Sequence, residues 1–263
     1  MDTFTAATLN IWQKFGPWEE RMPRLRSALA KEMPDVIGLQ EVRVEAGFDQ
    51  LASLNQELAY HAVFGATFDD GYGKTGNGIL SRWEVLRSEV VPLPTAHEEW
   101  RCLVFALLDS PYGKLPFFTT HLNWQLDDGA SRRLQVRAIT GAVAELSRGA
   151  DFPAVLVGDF NAEPDSDEMR YLRGLTGIDG HYVYYADAWV FAGDGSPGTT
   201  YSKSNPFGEV HREAERRIDY VYVRAPERGR GEPIASRVAF TEPVEGMFPT
   251  DHYGVVATIA TGA

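Results

Sequence analysis

Residues 155–164, VLVGDFNAEP, decide how the rest of the chain is read. An apolar run with the pattern of a buried strand stops at Gly158 and delivers Asp159 and Asn161 at its C-terminal mouth. Side chains two residues apart in extended chain point the same way, so a carboxylate and a carboxamide converge. A hard cation or a phosphoryl oxygen could occupy their meeting point.

Working outward, residues 131–147 place Leu134, Ala138, Ala142, Val143 and Leu146 on one face of a helix that Ser131 can cap. Before it, residues 102–108 and 115–121 flank the turn SPYGK as a hairpin whose second strand ends on His121. His121 and Asp159 therefore end successive strands around a crossover helix. The N-terminal part has the same rhythm. Residues 4–11 read as a strand carrying Asn10 near its end, and residues 19–33 as a helix through Met22, Leu25, Leu29 and Met33, with Pro23 in its first turn. Pro34 stops that helix, and residues 35–40, DVIGLQ, form a buried strand leading to Glu41.

The remaining segments are expected as a helix at 48–58, a strand at 60–64, and a Gly-rich surface loop at 69–78, DDGYGKTGNG. Strands follow at 79–81 and 85–91, then the loop PLPTAHEEW. Residues 166–175 read as a helix, and 177–215 as irregular. Strands at 217–223, 236–240 and 254–260 close the chain, with Asp219 in the first and Thr250, Asp251 and His252 before the last. No polar linker, low-complexity tract or repeat divides residues 1–263, so one domain of two sheets with helices outside is expected.

A formal charge of -12 and a pI near 5.0 weigh against a surface that tracks a polyanion along its whole length, since that binding rests on Lys and Arg. They leave DNA open as a substrate. Cys102 is the single cysteine and lies in the apolar run CLVFALL, as a buried small hydrophobe would. The N-terminal MDTFTAATLN has no basic or long apolar segment, and no run reaches the roughly 18 apolar residues of a membrane span. A soluble, cytoplasmic chain is the expectation; the oligomeric state is not legible.

In order, the chain offers LNIW with Asn10, LQEV with Glu41, TTHLNW with His121, GDFNAEP with Asp159 and Asn161, RRIDYVYV with Asp219, and TDHYGV with Asp251 and His252. This series closely resembles the endonuclease/exonuclease/phosphatase superfamily, which includes DNase I-like nucleases, sphingomyelinases, inositol polyphosphate phosphatases and deadenylases. The resemblance implies a four-layered α/β sandwich, two mixed β-sheets packed face to face with helices on the outside. It also implies hydrolysis of a phosphoester that depends on a divalent metal.

The residues suit that chemistry, because the anionic oxygens of a phosphoester repel the nucleophile and must be neutralised. Glu41, with Asn10 and Asp251, suits Mg²⁺ or Mn²⁺. His252, oriented by Asp219, would act on the attacking water, and Asp159 would share that task or bind a second metal. Asn161 and His121 would donate to the non-bridging oxygens. The histidine matching His121 in DNase I-like nucleases is supported by an acid that GNGILSR, residues 76–82, does not supply.

Substrate choice would lie in the loops. Trp12, Trp18, Tyr72, Trp124, Trp189 and Tyr201 are candidates to flank the site, and Arg101 resembles a phosphate-contacting arginine of the nucleases. Arg217 is expected to hold the Asp219 strand. The segment GTTYSKSNPFGEV resembles bacterial sphingomyelinase-like and sugar-phosphatase-like members, so Thr200 and Asn205, together with Asn123 and Trp124 of TTHLNW, are expected at the substrate. These features favour a small or lipid-like phosphoester. A nuclease acting on nucleic-acid phosphodiesters is the alternative, and an inactive scaffold relative a distant one.

Overall fold

The computed structural model describes residues 2–95, 99–210 and 213–262; residues 96–98 of the loop PLPTAHEEW, and 211 and 212 within the stretch read as irregular, lie outside the described residues. The chain runs through β1 (Thr3–Asn10), α1 (Trp18–Glu32), β2 (Val36–Glu45), β3 (Phe48–Asp49), α2 (Gln50–Leu54), β4 (His61–Asp69) and β5 (Gly73–Ser81). It continues with β6 (Val85–Pro92), β7 (Cys102–Ser110), β8 (Gly113–His121), α3 (Gly129–Leu146) and β9 (Val155–Asp159). The last part holds α4 (Asp167–Leu172), β10 (Tyr185–Asp187), α5 (Ala188–Ala192), α6 (Pro206–Glu209), β11 (Asp219–Arg224), β12 (Arg230–Ala239) and β13 (Gly254–Thr261).

These strands form two sheets, one in the order β12-β13-β1-β2-β5-β4 with β3 on β2, the other β10-β11-β9-β8-β7-β6. Both are mixed: β1 runs parallel to β2 and β8 parallel to β9, while pairs such as β1/β13 and β9/β11 are antiparallel. Period-2 patterning builds the layers. Val155 and Val157 face the core between the sheets with Phe4, Val36, Val104 and Phe117. Leu156 faces the other way, into a core with Val136 and Ile139 of α3 and Met169 and Leu172 of α4. Leu25 and Leu29 of α1 cover Leu9, Ile37 and Leu39 on the opposite outside face. Each such side chain contributes about 1.5–3 kcal/mol on burial, and three cores between four layers result.

One polar chain crosses the inter-sheet core. Thr8 Oγ1 donates to Gln40 Oε1 at 3.1 Å, and Gln40 Nε2 donates to Thr119 Oγ1 of the facing sheet at 2.9 Å. Gly38 lets the sheets meet there, since a Cβ would lie 2.5 Å from Thr119 Oγ1 and Val157. Unlike an apolar contact, this chain has one register, which fixes how the strand ends face each other.

The Gly-rich segment 69–78 is a correction: it forms the β4/β5 hairpin, in which Gly76 lies against Gly65 so closely that a Cβ would meet its carbonyl oxygen at 1.9 Å. Its glycines permit close strand contact rather than loop freedom. The helix expected over 48–58 shrinks to α2, because Phe48 and Asp49 pair with Glu45 and Val44. α3 is capped by Asp128, whose carboxylate accepts from Ser131 N at 3.0 Å, and not by Ser131. Between 177 and 210 the stretch read as irregular contains β10, α5 and α6.

Candidate active site

Strand register brings the expected residues into one row. Parallel β8 and β9 place His121 opposite Asp159, and antiparallel β9 and β11 place Asp159 opposite Asp219. Neighbours in such a row are about 4.8 Å apart. Gly158 makes the row tight, because a Cβ there would lie 2.2 Å from the Thr120 carbonyl oxygen. On the facing sheet Asn10 ends β1 and pairs with Gln40, so it lies beside Glu41, which stands inside β2 because that strand runs on to Glu45 and not only to Gln40 as expected; Asp251 and His252 precede β13, which pairs with β1.

The two sheets meet through Asn10. Its amide nitrogen donates to Glu41 Oε1 and to Asp159 Oδ2, both at 3.0 Å, and its carbonyl oxygen accepts from Trp12 N at 3.0 Å. Asn10, expected as a ligand, clamps two carboxylates with its hydrogens. His252 Nδ1 lies 3.0 Å from Asp219 Oδ2, and its Nε2 lies 3.8 Å from Asp159 Oδ2. Asn161 accounts for its amide hydrogens within the protein, one on Leu122 O at 3.2 Å and one on His121 Nε2 at 2.9 Å. The amide expected to donate to a phosphoryl oxygen thus holds His121 in place.

Backbone strain concentrates here. Glu41 has φ 58° and Asn161 φ 49°, both in the left-handed region, as do Trp12 and Gln13. Glu41 lies at the register shift between Leu39 and Val42 where β2 leaves its regular pairing with β5. Side chains rarely adopt such φ values unless the surroundings over-determine them.

The site is electrostatically polarised. Burial pushes Asp251 up to about 7, with the charge of Glu41 adding to it and His252 opposing. Burial, reinforced by Asp159, likewise raises Glu41. Burial also raises Asp219 to about 6, against the pull of His252. His252 is held protonated well above the usual imidazole range: burial opposes this, but Asp219, Asp251 and Asp159 outweigh it. Asp159 is kept ionised despite burial by the charge of His252 and the hydrogen bonds from Asn10 and the Asn161 backbone. His121 goes the other way, pushed down to about 3 by burial and the nearby Arg101.

Asp159, Asp219 and His252 carry potential ligand atoms within 4.8 Å of one another. A cation among those three could take Asp219 Oδ1, which has no hydrogen-bond partner among the described residues, and leave Oδ2 on His252. Glu41 and Asp251 fit a hard divalent cation better: both offer oxygen, and both carboxyls are raised for want of counter-charge.

The row opens into a cleft of about 580 Å³, a size common for ligand sites. Arg101 and Trp124 line it as expected, together with Trp12 and Tyr201. Asn123, Thr200 and Asn205 do not: all three are fully buried behind its wall. Asn123 donates to Glu99, whose other oxygen takes Arg101. Thr200 Oγ1 accepts from Ile218 N and Asp219 N at 3.1 and 3.2 Å, and Asn205 donates to Thr250 O at 2.7 Å. The correction has one cause: each uses its polar atoms on the backbone or side chains that set the site. Trp18 packs on Phe48, Trp189 bonds Ser196 O, and Tyr72 stands exposed on the β4/β5 turn; none lines the cleft. Cys102 is buried as expected, with burial raising its thiol.

Sequence reading missed Arg21. Fully buried on α1, it donates to the carbonyl oxygens of Ile11, Trp12, Gln13, Phe15 and Pro249, tying together the loops that follow Asn10 and precede Asp251. A charged residue on the buried stripe of an otherwise amphipathic helix was its only signal. Arg217 does hold the Asp219 strand, through a two-pronged buried pair with Asp187 at 3.0 and 2.9 Å.

Residues 7–252 match the model of the endonuclease/exonuclease/phosphatase family. Tyrosyl-DNA phosphodiesterase 2 of Mus musculus is 25% identical over 91% of this chain and 61% of its own length. Protein angel of Drosophila melanogaster is 27% identical over 64% of this chain and 51% of its own length. The chain thus spans between half and three fifths of these curated relatives. An endonuclease/exonuclease/phosphatase from Beutenbergia cavernae superposes with a TM-score of 0.76 at 25% identity, over all of this chain and 72% of that one. D. rerio TDP2, solved in complex with a single-stranded DNA product, has a TM-score of 0.76 at 22% identity, over 98% of this chain and 99% of that one. Truncated Caenorhabditis elegans TDP2 has a TM-score of 0.77 at 20% identity, over 98% of each chain. The four-layered sandwich is the shared fold.

Proposed function

Since this chain belongs to the endonuclease/exonuclease/phosphatase family, whose members hydrolyse phosphoesters, we propose that it is a divalent-metal-dependent hydrolase of nucleic-acid phosphodiesters. The observation that carries the hydrolytic part is the row Asp219–His252–Asp159, with Nδ1 of His252 at 3.0 Å from one carboxylate and Nε2 at 3.8 Å from the other. The nucleic-acid part is supported by the relatives, one named a tyrosyl-DNA phosphodiesterase and another solved with single-stranded DNA. The small or lipid-like phosphoester favoured by the loop resemblance has no such support. Net charge averages the whole surface, whereas a substrate meets only the cleft, where Arg101 and Arg216 stand among Glu41, Glu99, Asp159, Glu213 and Asp251, so that a bound cation would be needed to offset the acids.

In this reading Asp159, ionised and in line with both histidines, accepts the proton of the attacking water. His252 enters as imidazolium because three carboxylates surround it, so it supplies charge to the phosphoryl group rather than acting as the base first expected of it. Asp219 orients that ring. Neutral His121, with Nε2 taken by Asn161, offers Nδ1–H to a non-bridging oxygen. Glu41 and Asp251 would hold Mg²⁺ or Mn²⁺, which would supply charge neutralisation of the anionic oxygens when bound. As the water oxygen bonds to phosphorus, the bond to the leaving oxygen breaks and that oxygen takes up a proton from solvent.

Purified protein incubated with Mg²⁺ or Mn²⁺ and, separately, supercoiled plasmid, a single-stranded oligodeoxynucleotide, sugar phosphates and sphingomyelin tests this. Nucleic acid should be cleaved fastest, and EDTA should abolish cleavage. Hydrolysis of a sugar phosphate or sphingomyelin with nucleic acid left intact would sink the nuclease reading, and activity persisting in EDTA would sink the metal.

A further inference from the structure

We propose that Arg216 forms a second anion subsite of the cleft, holding a phosphate of the substrate other than the one cleaved. This rests on the nucleic-acid reading above. Among the described residues, Arg26, Arg101, Arg173 and Arg216 each bury an Nε with no hydrogen-bond partner, and of these Arg101 and Arg216 line the cleft. Among the described residues, the other buried arginines spend their forks inside the protein: Arg21 on carbonyl oxygens, Arg43 on Glu45 and Asp70, Arg132 on Glu168 and Gln125 O, Arg217 on Asp187. An unsatisfied buried N–H costs about 1–3 kcal/mol, and a guanidinium fork is shaped for phosphate.

Position separates Arg216 from the hydrolytic row. In the sheet order β11-β9-β8-β7, Asp159 and His121 end the two central strands, Arg101 precedes β7, and Arg216 lies three residues before Asp219 of β11. The strands next to the two arginines are three spacings apart, about 14 Å. Arg216 and Arg101 therefore approach the cleft from opposite flanks of the hydrolytic row, as phosphates on the two sides of a scissile one would require.

Arg216 is rigidly presented. It is 9% exposed, its backbone N–H and C=O both bond to Tyr201, and its guanidinium lies 5.4 Å from the ring centre of that residue. The same ring packs edge-on against His252 at 5.1 Å, so the subsite abuts the hydrolytic row. Its remaining partner is Glu213, paired with Nη2 from a carboxylate that is 26% exposed. Glu213 neutralises the fork in the free protein, and a substrate phosphate takes its place.

The test compares a single-stranded oligodeoxynucleotide with bis-p-nitrophenyl phosphate, a diester with no flanking phosphate, for wild type, Arg216→Gln, Arg216→Lys and Glu213→Gln. In Arg216→Gln the oligonucleotide KM should rise about tenfold more than that of the small ester, and Arg216→Lys should recover part of it. The slope of log KM against log salt should flatten by about 0.7, one single-strand phosphate contact. Glu213→Gln should lower the oligonucleotide KM by removing the competing carboxylate. Equal losses on both substrates, or a Glu213→Gln effect of the wrong sign, overturn the subsite and leave the nuclease reading standing. Wild-type protein that hydrolyses the small ester but no oligonucleotide overturns the nuclease reading, and the subsite with it.

Discussion

Nε2 of His121 lies 2.9 Å from the amide nitrogen of Asn161, and that nitrogen also donates to the carbonyl oxygen of Leu122 at 3.2 Å. A carbonyl can only accept, so the nitrogen of the amide must face both groups, and the His121 nitrogen opposite it must be the lone-pair side. The proton of the neutral ring is left on Nδ1. Asn161→Asp replaces that donor by an acceptor and draws the proton to Nε2. Its kcat should fall by about 10²-fold, the cost of one misdirected donor at a developing charge, with folding retained by circular dichroism. Turnover within about threefold of wild type would show that the tautomer does not matter.

The Asp219–His252 contact and the neighbouring Asp159 predict an order among variants. Asp159→Asn removes the proton acceptor and should lower kcat by about 10³–10⁴-fold, and Asp219→Asn, which leaves the ring but loses its orienting charge, by about 10²–10³-fold. Single-turnover cleavage assays would measure both. If Asp159→Asn were the milder of the two, His252 rather than Asp159 would be the base.

Asp251 predicts a pH dependence of stability in metal-free protein. Its folded pKa, about 7, stands above the ordinary carboxylate value of 3.8 because of burial and Glu41. The folded state therefore keeps a proton that the unfolded chain gives up, and this contribution is full below pH 3.8 and lost as pH rises through about 7. In EDTA, raising the pH from 5 to 8 should lower the Tm of wild type more than that of Asp251→Asn. Adding Mg²⁺ should raise the wild-type Tm more at pH 8 than at pH 5, since cation and proton compete for the carboxylate. Parallel melting curves of the two proteins across this range would contradict the assignment.

Arg21 predicts a stability effect far from any substrate. Arg21→Met keeps the volume of the stem but leaves several buried carbonyl oxygens without donors, which should cost about 3–5 kcal/mol in urea unfolding. Activity of the folded fraction should fall as well, because the loops after Asn10 and before Asp251 lose their common tie. A loss under about 1 kcal/mol would mean that water satisfies those carbonyls.

The sequence by itself determined the strand ends. Asn10, His121 and Asp159 close apolar strands, Glu41 follows the apolar run of β2, and Asp219 and His252 stand just where apolar strands begin, so each is marked by an apolar run within a few residues of it. Those signals also located the hairpin β7/β8 and the helices α1 and α3, to within a few residues of their ends. Where a residue's meaning depends on what faces it from far along the chain, sequence failed. The glycines of residues 69–78 read as loop because nothing nearby shows the strand they must approach. Thr200, Asn205 and Asn123 read as substrate contacts because a polar side chain looks the same whether it points to a cleft or to a buried carbonyl. Only the tertiary structure decided that VLVGDFNAEP would place Asp159 between His121 and Asp219, with Asn10 from the other sheet fastening it to Glu41. The physical reason is register: one buried Gln40 and one glycine, Gly158, fix which strand ends meet, and those contacts span sequence separations that no local pattern records.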